Sequence, residues 1–98
     1  MIVVLTCVDA SSLAAGCEEE GVPVLIRRCE GSAEALARLA AAESLLGIGV
    51  SIDARGGMIV LAAAPGSPYL TGTDLRLLGH QAACIAARRP LAGLRLTL

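Results

Sequence analysis

Three consecutive carboxylates, Glu18-Glu19-Glu20, stand out in this 98-residue sequence. They fall in the last turn of a short helical pattern. The aligned peptide dipoles already place about half a negative charge there, so each carboxylate is disfavoured by a few tenths of a kcal/mol, roughly. Two readings follow. The run is a solvated acidic turn, or it offers hard oxygen ligands to a cation such as Mg²⁺, whose shell is often completed by water or by another chain. His80, the single imidazole, stands mid-helix between Arg76 and Cys84, each one helical turn away. A Cys-His dyad is conceivable at that spacing, but without a third, orienting group a surface or partly buried helical histidine is the plainer reading. Arg88-Arg89 either complement the negative end of the last helix or present carboxylate-binding forks to a partner, the first being the simpler account.

Other chemistry is not encoded. A nucleotide site needs a glycine-rich turn between a strand and a helix, where backbone N–H groups meet phosphate. Gly47-Ile48-Gly49 leads instead into a strand, and Gly72 lies in a capping sequence without a phosphate-loop lysine. No C-x-x-C spacing suggests zinc. The formal charge is −1, every basic residue is an arginine, and Tyr69 is the sole aromatic. That leaves neither the basic stripe nor the stacking platform of a nucleic-acid binder. Cys7, Cys17, Cys29 and Cys84 each sit in an apolar stretch and read as reduced core thiols, not disulfides. Met1 to Val8 lacks a basic leader and reads as a buried strand, not a signal peptide. No apolar run reaches the roughly 18 residues of a membrane span.

The elements that position these residues follow from periodicity. The length has room for one domain over residues 1–98. Apolar residues make up 55% of the chain, nearly all aliphatic, which suits a layered α/β fold. Ile2 to Cys7 is a β-branched run expected to form a central strand covered on both faces. Asp9, Ser11 and Ser12 offer capping oxygens to a first helix that turns Leu13, Ala14 and Cys17 inward and ends at Gly21. Val22 to Arg28 is a second strand. Ser32 caps a second helix, about Ala33 to Leu45, with Leu36, Leu39 and Ala40 inward and Glu34, Arg38 and Glu43 toward water.

Ile48 to Ile52 alternates Ile48, Val50 and Ile52 with Gly49 and Ser51, so one face of this third strand is nearly bare and open to close approach. A connection this short, Asp53 to Gly57, makes Met58 to Ala63 an antiparallel return arm. Thr71 and Asp74 suggest a capping box for a third helix bearing Leu75, Leu78, Ala82 and Ile85 inward, which Pro90 stops. Leu94, Leu96 and Leu98 alternate as a fifth, edge strand. Right-handed crossovers then give a three-layer α/β/α fold around a mixed five-stranded sheet of order 2-1-3-4-5, with strand 4 antiparallel to the rest.

Four stretches carry a family resemblance in order and spacing: Glu18-Glu19-Glu20-Gly21-Val22-Pro23, Gly47-Ile48-Gly49-Val50-Ser51, Leu75-Arg76-Leu77-Leu78-Gly79 with Ala82 and Ala83, and Arg89-Pro90-Leu91. Together they resemble the small subunit of the glycerol and diol dehydratase reactivating factors, through most of the chain. The sequence departs from that pattern in a short N-terminus and in its Asp53–Gly57 hairpin. The resemblance implies a non-catalytic, chaperone-like subunit that partners a large actin-like and Hsp70-like ATPase subunit. That complex releases damaged coenzyme B12 from a dehydratase, the small subunit exchanging places with the dehydratase β subunit that it resembles in fold. It implies Glu19 as a ligand of Mg²⁺ shared with the large subunit, and no nucleotide or cobalamin bound by this chain alone. The lack of a leader, of a membrane-length apolar run and of a basic, aromatic surface leads to the expectation of a cytoplasmic setting, with microcompartment association left open, and of no nucleic-acid or membrane partner. Two rivals remain: a β-type subunit of a B12-dependent dehydratase, which would carry cobalamin contacts, and a free-standing small-molecule or anticodon-type binding domain.

Overall fold

The computed structural model describes residues 1–87. Its elements run β1 (Ile2–Thr6), α1 (Ser11–Glu19), β2 (Val24–Arg28), α2 (Ala33–Glu43), β3 (Ile48–Asp53), β4 (Gly56–Leu61), β5 (Leu70–Gly72) and α3 (Leu75–Ala87). The sheet order is β2-β1-β3-β4-β5. β1 pairs in parallel with β2 and β3, β4 runs antiparallel to β3, and β5 runs antiparallel to β4. The expected mixed sheet, with its fourth strand reversed, is therefore present.

The fifth strand, however, is Leu70–Gly72. The expected edge strand Leu94–Leu98 lies outside the described residues, as do Arg88, Arg89 and Pro90. The physical reason is the turn-rich Pro65–Pro68 stretch. It reverses the chain so that Tyr69 N–H donates to the Ile59 carbonyl at 2.7 Å and residues 70–72 zip back along β4. Thr71 is thereby committed to the sheet and cannot cap α3. Asp74 does so instead, its Oδ1 accepting the Leu77 N–H at 3.1 Å.

Alternation along β1 divides the core. Ile2 and Val4 join Leu13, Cys17, Ile48, Val50, Ile52, Ile59, Leu78 and Ala82 in the cluster beneath α1 and α3. Val3 and Leu5 face α2 with Leu36 and Ala40. Helices thus cover both faces, because β1-α1-β2 and β2-α2-β3 wind in opposite directions from the central strand. Ser32 caps α2 as expected, accepting the Ala35 N–H. Leu39 does not line the inner face: it is 54% exposed, and Ala37 and Ala41 take the buried positions. The reason is the glycine beneath. Bare Gly49 admits the α2 backbone so closely that alanines fill the interface and leucine has no room. Ser51 Oγ adds a 2.6 Å hydrogen bond to the Ala33 carbonyl. The bare face of β3 is consequently occupied by the chain's own helix and is no docking surface.

The core reading of the cysteines holds for Cys17 and Cys84. Cys7 is exposed and Cys29 half-buried, and all four are free. Both lie just past the ends of β1 and β2, where helical cover has run out. Cys17 donates its thiol to the Gly79 carbonyl. Burial, with a smaller contribution from the Glu18 charge, pushes its pKa up from 9.0 to about 11. An ionising group whose proton is held more tightly in the native state supports folding below its unfolded pKa, and that support fades as pH rises through the folded value. Stability is therefore expected to fall between pH 9 and about 11, by at most roughly 1.4 kcal/mol per unit for the one proton. Urea midpoints across that window should drop less in Cys17→Ala than in the unaltered chain.

Candidate functional site

α1 ends where Gly21 takes the left-handed conformation (φ 71°), leaving Glu18, Glu19 and Glu20 on its last turn and cap. What faces that turn is decided by a helix crossing with almost no side chains in it. A Cβ on Gly16 would lie 2.1 Å from the Arg76 carbonyl oxygen, and one on Gly79 would lie 2.1 Å from that of Leu13. Each helix thus presses a glycine onto the other's backbone. The stripe Leu13, Gly16, Cys17, Glu20 meets the stripe Arg76, Gly79, His80, Ala83, both with the i, i+3, i+4, i+7 spacing of a single helical face.

The consequence is a four-residue ionic cluster. Arg76 pairs with Glu19 Oε1, His80 Nε2 contacts Glu19 Oε2, and His80 Nδ1 lies 2.9 Å from Glu20 Oε1. Both ring nitrogens of His80 face carboxylates, so the imidazolium can donate to both glutamates, whereas the neutral ring can donate to only one. The Arg76 guanidinium of α3 thus offsets the carboxylates that the α1 dipole disfavours. Arg76 is largely exposed and the other three side chains partly so, which puts the Arg76–Glu19 pair in the surface class worth about 0–1 kcal/mol. These contacts orient Glu19 more than they stabilise the fold.

Sequence reasoning placed Glu19 and His80 in separate roles; the structure brings them together. The Cys-His dyad does not form: His80 turns to Glu19 and Glu20, while Cys84 is buried. Arg76 as the partner of Glu19 escaped notice. Its only signal was an Arg76/His80 pair one turn apart on a helix elsewhere in the chain from an acidic run, and nothing in the residues said that the two would meet. Glu19 has the hard oxygen chemistry that suits Mg²⁺, but both of its oxygens are engaged within the chain. Among the described residues, no group of three or more His, Cys, Asp or Glu side chains is placed to hold a metal.

A concavity away from this cluster does not suit phosphate. An open cleft of about 690 Å³ lies between the start of α2, the β3–β4 hairpin and the end of β5. Arg55 is the one basic residue lining it, and it is matched by Glu34 and Asp53. No helix among the described residues is long and apolar enough to cross a membrane.

Comparison with known proteins is informative for nearly the whole chain. The family model described as dehydratase medium subunit matches residues 4–92. A solved glycerol dehydratase reactivase is similar at 28% identity, with a TM-score of 0.81, over 93% of this chain and 95% of that one. A diol dehydratase-reactivating factor complexed with ADP and Mg²⁺ has the same fold, with a TM-score of 0.83 at 22% identity, over 92% of this chain and 94% of that one. No curated protein matches the chain.

Proposed function

This chain belongs to the dehydratase medium subunit family, and from that premise we propose that it is the non-catalytic small subunit of an ATP-dependent, chaperone-like factor that reactivates a glycerol or diol dehydratase. The observation that carries this reading is the end-to-end likeness to a glycerol dehydratase reactivase chain, 95% of which is covered. The family model takes its description from a dehydratase subunit, while the similar solved structures are reactivating factors. One architecture serving both assemblies is what exchange of subunits between them requires, and this supports a role in freeing damaged cobalamin.

The chain's own residues then divide the labour. Among the described residues no strand-to-helix turn is a phosphate-binding glycine loop, and nucleotide chemistry is accordingly proposed to reside on a large, actin-like ATPase partner. The diol dehydratase-reactivating factor is complexed with ADP and Mg²⁺, which supports a nucleotide site somewhere in such an assembly. Glu19 is proposed to give one carboxylate to Mg²⁺ shared with that partner, the other ligands coming from the partner or from water. Bound there, the ion would bridge two chains electrostatically. Arg76 and His80 hold the carboxylate at the α1 terminus until it is engaged.

Co-expression with the ATPase subunit tests this. Glu19→Ala is expected to leave the isolated chain's stability within about 1 kcal/mol, as for exposed ion pairs, and to weaken assembly at least about tenfold, the equivalent of some 1.4 kcal/mol. Assembly and bound Mg²⁺ equal to those of the unaltered chain would remove Glu19 from the interface. The family description itself favours a second reading, a subunit of the dehydratase proper. Copurification of cobalamin with a holoenzyme containing this chain, and no binding to the ATPase subunit, would select that alternative.

A further inference from the structure

We propose that Cys7 and Cys29 form a reversible dithiol–disulfide pair that staples the α1 unit to the sheet. In the parallel register Thr6 stands opposite Arg28, and the ladder continues with the Cys29 N–H donating to the Thr6 carbonyl at 2.9 Å. Cys7 and Cys29 are therefore the next pair along. Paired strands run about 4.8 Å apart, inside the Cα separations of about 4.4–6.8 Å that disulfides span. By alternation Cys7 shares the face of Val3 and Leu5, and Cys29 packs against that same cluster. The two residues line one small cleft of about 190 Å³ together with Arg28 and Glu30.

Access suits exchange. Cys7 is exposed and Cys29 half-buried, whereas Cys17 and Cys84 are buried. Both cysteines lie one residue beyond their strands, in a register held by the Cys29 N–H bond to the Thr6 carbonyl. The Cys7 thiol makes one weak contact, a 3.6 Å donation to the Ile52 carbonyl of β3, on the side of β1 away from β2, so the bridge requires a turn about χ1 that gives this contact up. Disulfide formation needs an oxidant, here a low-molecular-weight disulfide such as oxidised glutathione. The Cys7 thiolate attacks one of its sulfurs and expels a thiolate, giving a mixed disulfide. The Cys29 thiolate then attacks the Cys7 sulfur and expels the second. Two protein thiols lose their protons and two electrons, and the oxidant leaves as two thiols.

The closed loop contains all of α1. Oxidation thus closes a covalent loop around the helix that carries Glu19 and Glu20, bridging the C-terminal ends of β1 and the edge strand β2. Such bonds in reducing compartments are typically transient and regulatory, which fits a pair at the surface and not in the core.

The reduced full chain, incubated with oxidised glutathione, is expected to lose the mass of two hydrogen atoms, to regain it with dithiothreitol, and to unfold at a higher denaturant concentration while oxidised. Cys7→Ser and Cys29→Ser should each abolish both effects and leave the surviving thiol glutathionylated. Cys17→Ser and Cys84→Ser should retain them. Separate glutathionylation of Cys7 and Cys29 in the unaltered chain, a bridge involving Cys17 or Cys84, or an unchanged mass would overturn the proposal.

Discussion

Alanine at Gly79, or at Gly16, is expected to destabilise the chain by about 1–3 kcal/mol, although each exchange improves the helix that carries it. In an isolated helix the exchange gains about 1 kcal/mol. Here the added carbon would lie 2.1 Å from a carbonyl oxygen of the opposing helix. No rotamer relieves that collision, because both partners are backbone, so α1 and α3 must separate. Overpacking of this kind commonly costs about 1–3 kcal/mol and sometimes more. The separation also loosens the packing of Leu13, Cys17, Leu78 and Ala82, all buried between these helices and the sheet. In a chain of this size each kcal/mol moves the melting temperature by roughly 4–8 °C, so the loss is easily read by calorimetry. Gly66→Ala, which would meet nothing within 4 Å, is the control and should be neutral. A Gly79→Ala chain as stable as the parent would mean that the helices do not meet at their backbones. The loss should also separate Arg76 and His80 from the glutamates, so it tests the construction of the ionic cluster.

The second large effect belongs to the opposite layer. Gly49→Ala is expected to cost a similar amount, about 1–3 kcal/mol by the same overpacking argument. A Cβ there would lie 2.0 Å from the Ala41 nitrogen and 2.5 Å from the Ala37 carbonyl oxygen. The gain of about 0.5–1 kcal/mol from removing a strand glycine does not offset this. As α2 lifts, the Ser51–Ala33 hydrogen bond should break, so amide exchange should accelerate along α2 first. Uniform acceleration through all elements, or none, would contradict the assignment of Gly49 as the seat of α2.

Both glycine contacts show what the sequence could and could not convey. The bare face of β3 was legible, because Gly49 and Ser51 alternate with Ile48, Val50 and Ile52 in a period that only a strand displays. So were the sheet order and the reversed fourth strand, since five connecting residues permit nothing but a hairpin. Gly16 and Gly79, by contrast, sit inside helical patterns in which a glycine reads merely as a weak position. Their meaning lies in a partner some sixty residues away, and no local periodicity encodes it. The ionic cluster was half visible for the same reason: Glu19 was conspicuous as a violation of the helix dipole, while the cation that offsets it sits on another helix. β5 was missed because three residues are too few to show alternation, and the nearby Thr71 and Asp74 imitate a capping box.

The order in which the chain leaves the ribosome gives the glycine crossing a further consequence. β1 emerges first yet occupies the middle of the sheet, with one neighbour available soon and the other only after α2 has been made. α1 likewise waits for α3, the last described element, before its inner groove is closed. A nascent chain released short of that helix would display an uncovered seam of backbone and aliphatic carbon, the kind of surface that holdase proteins and proteases recognise.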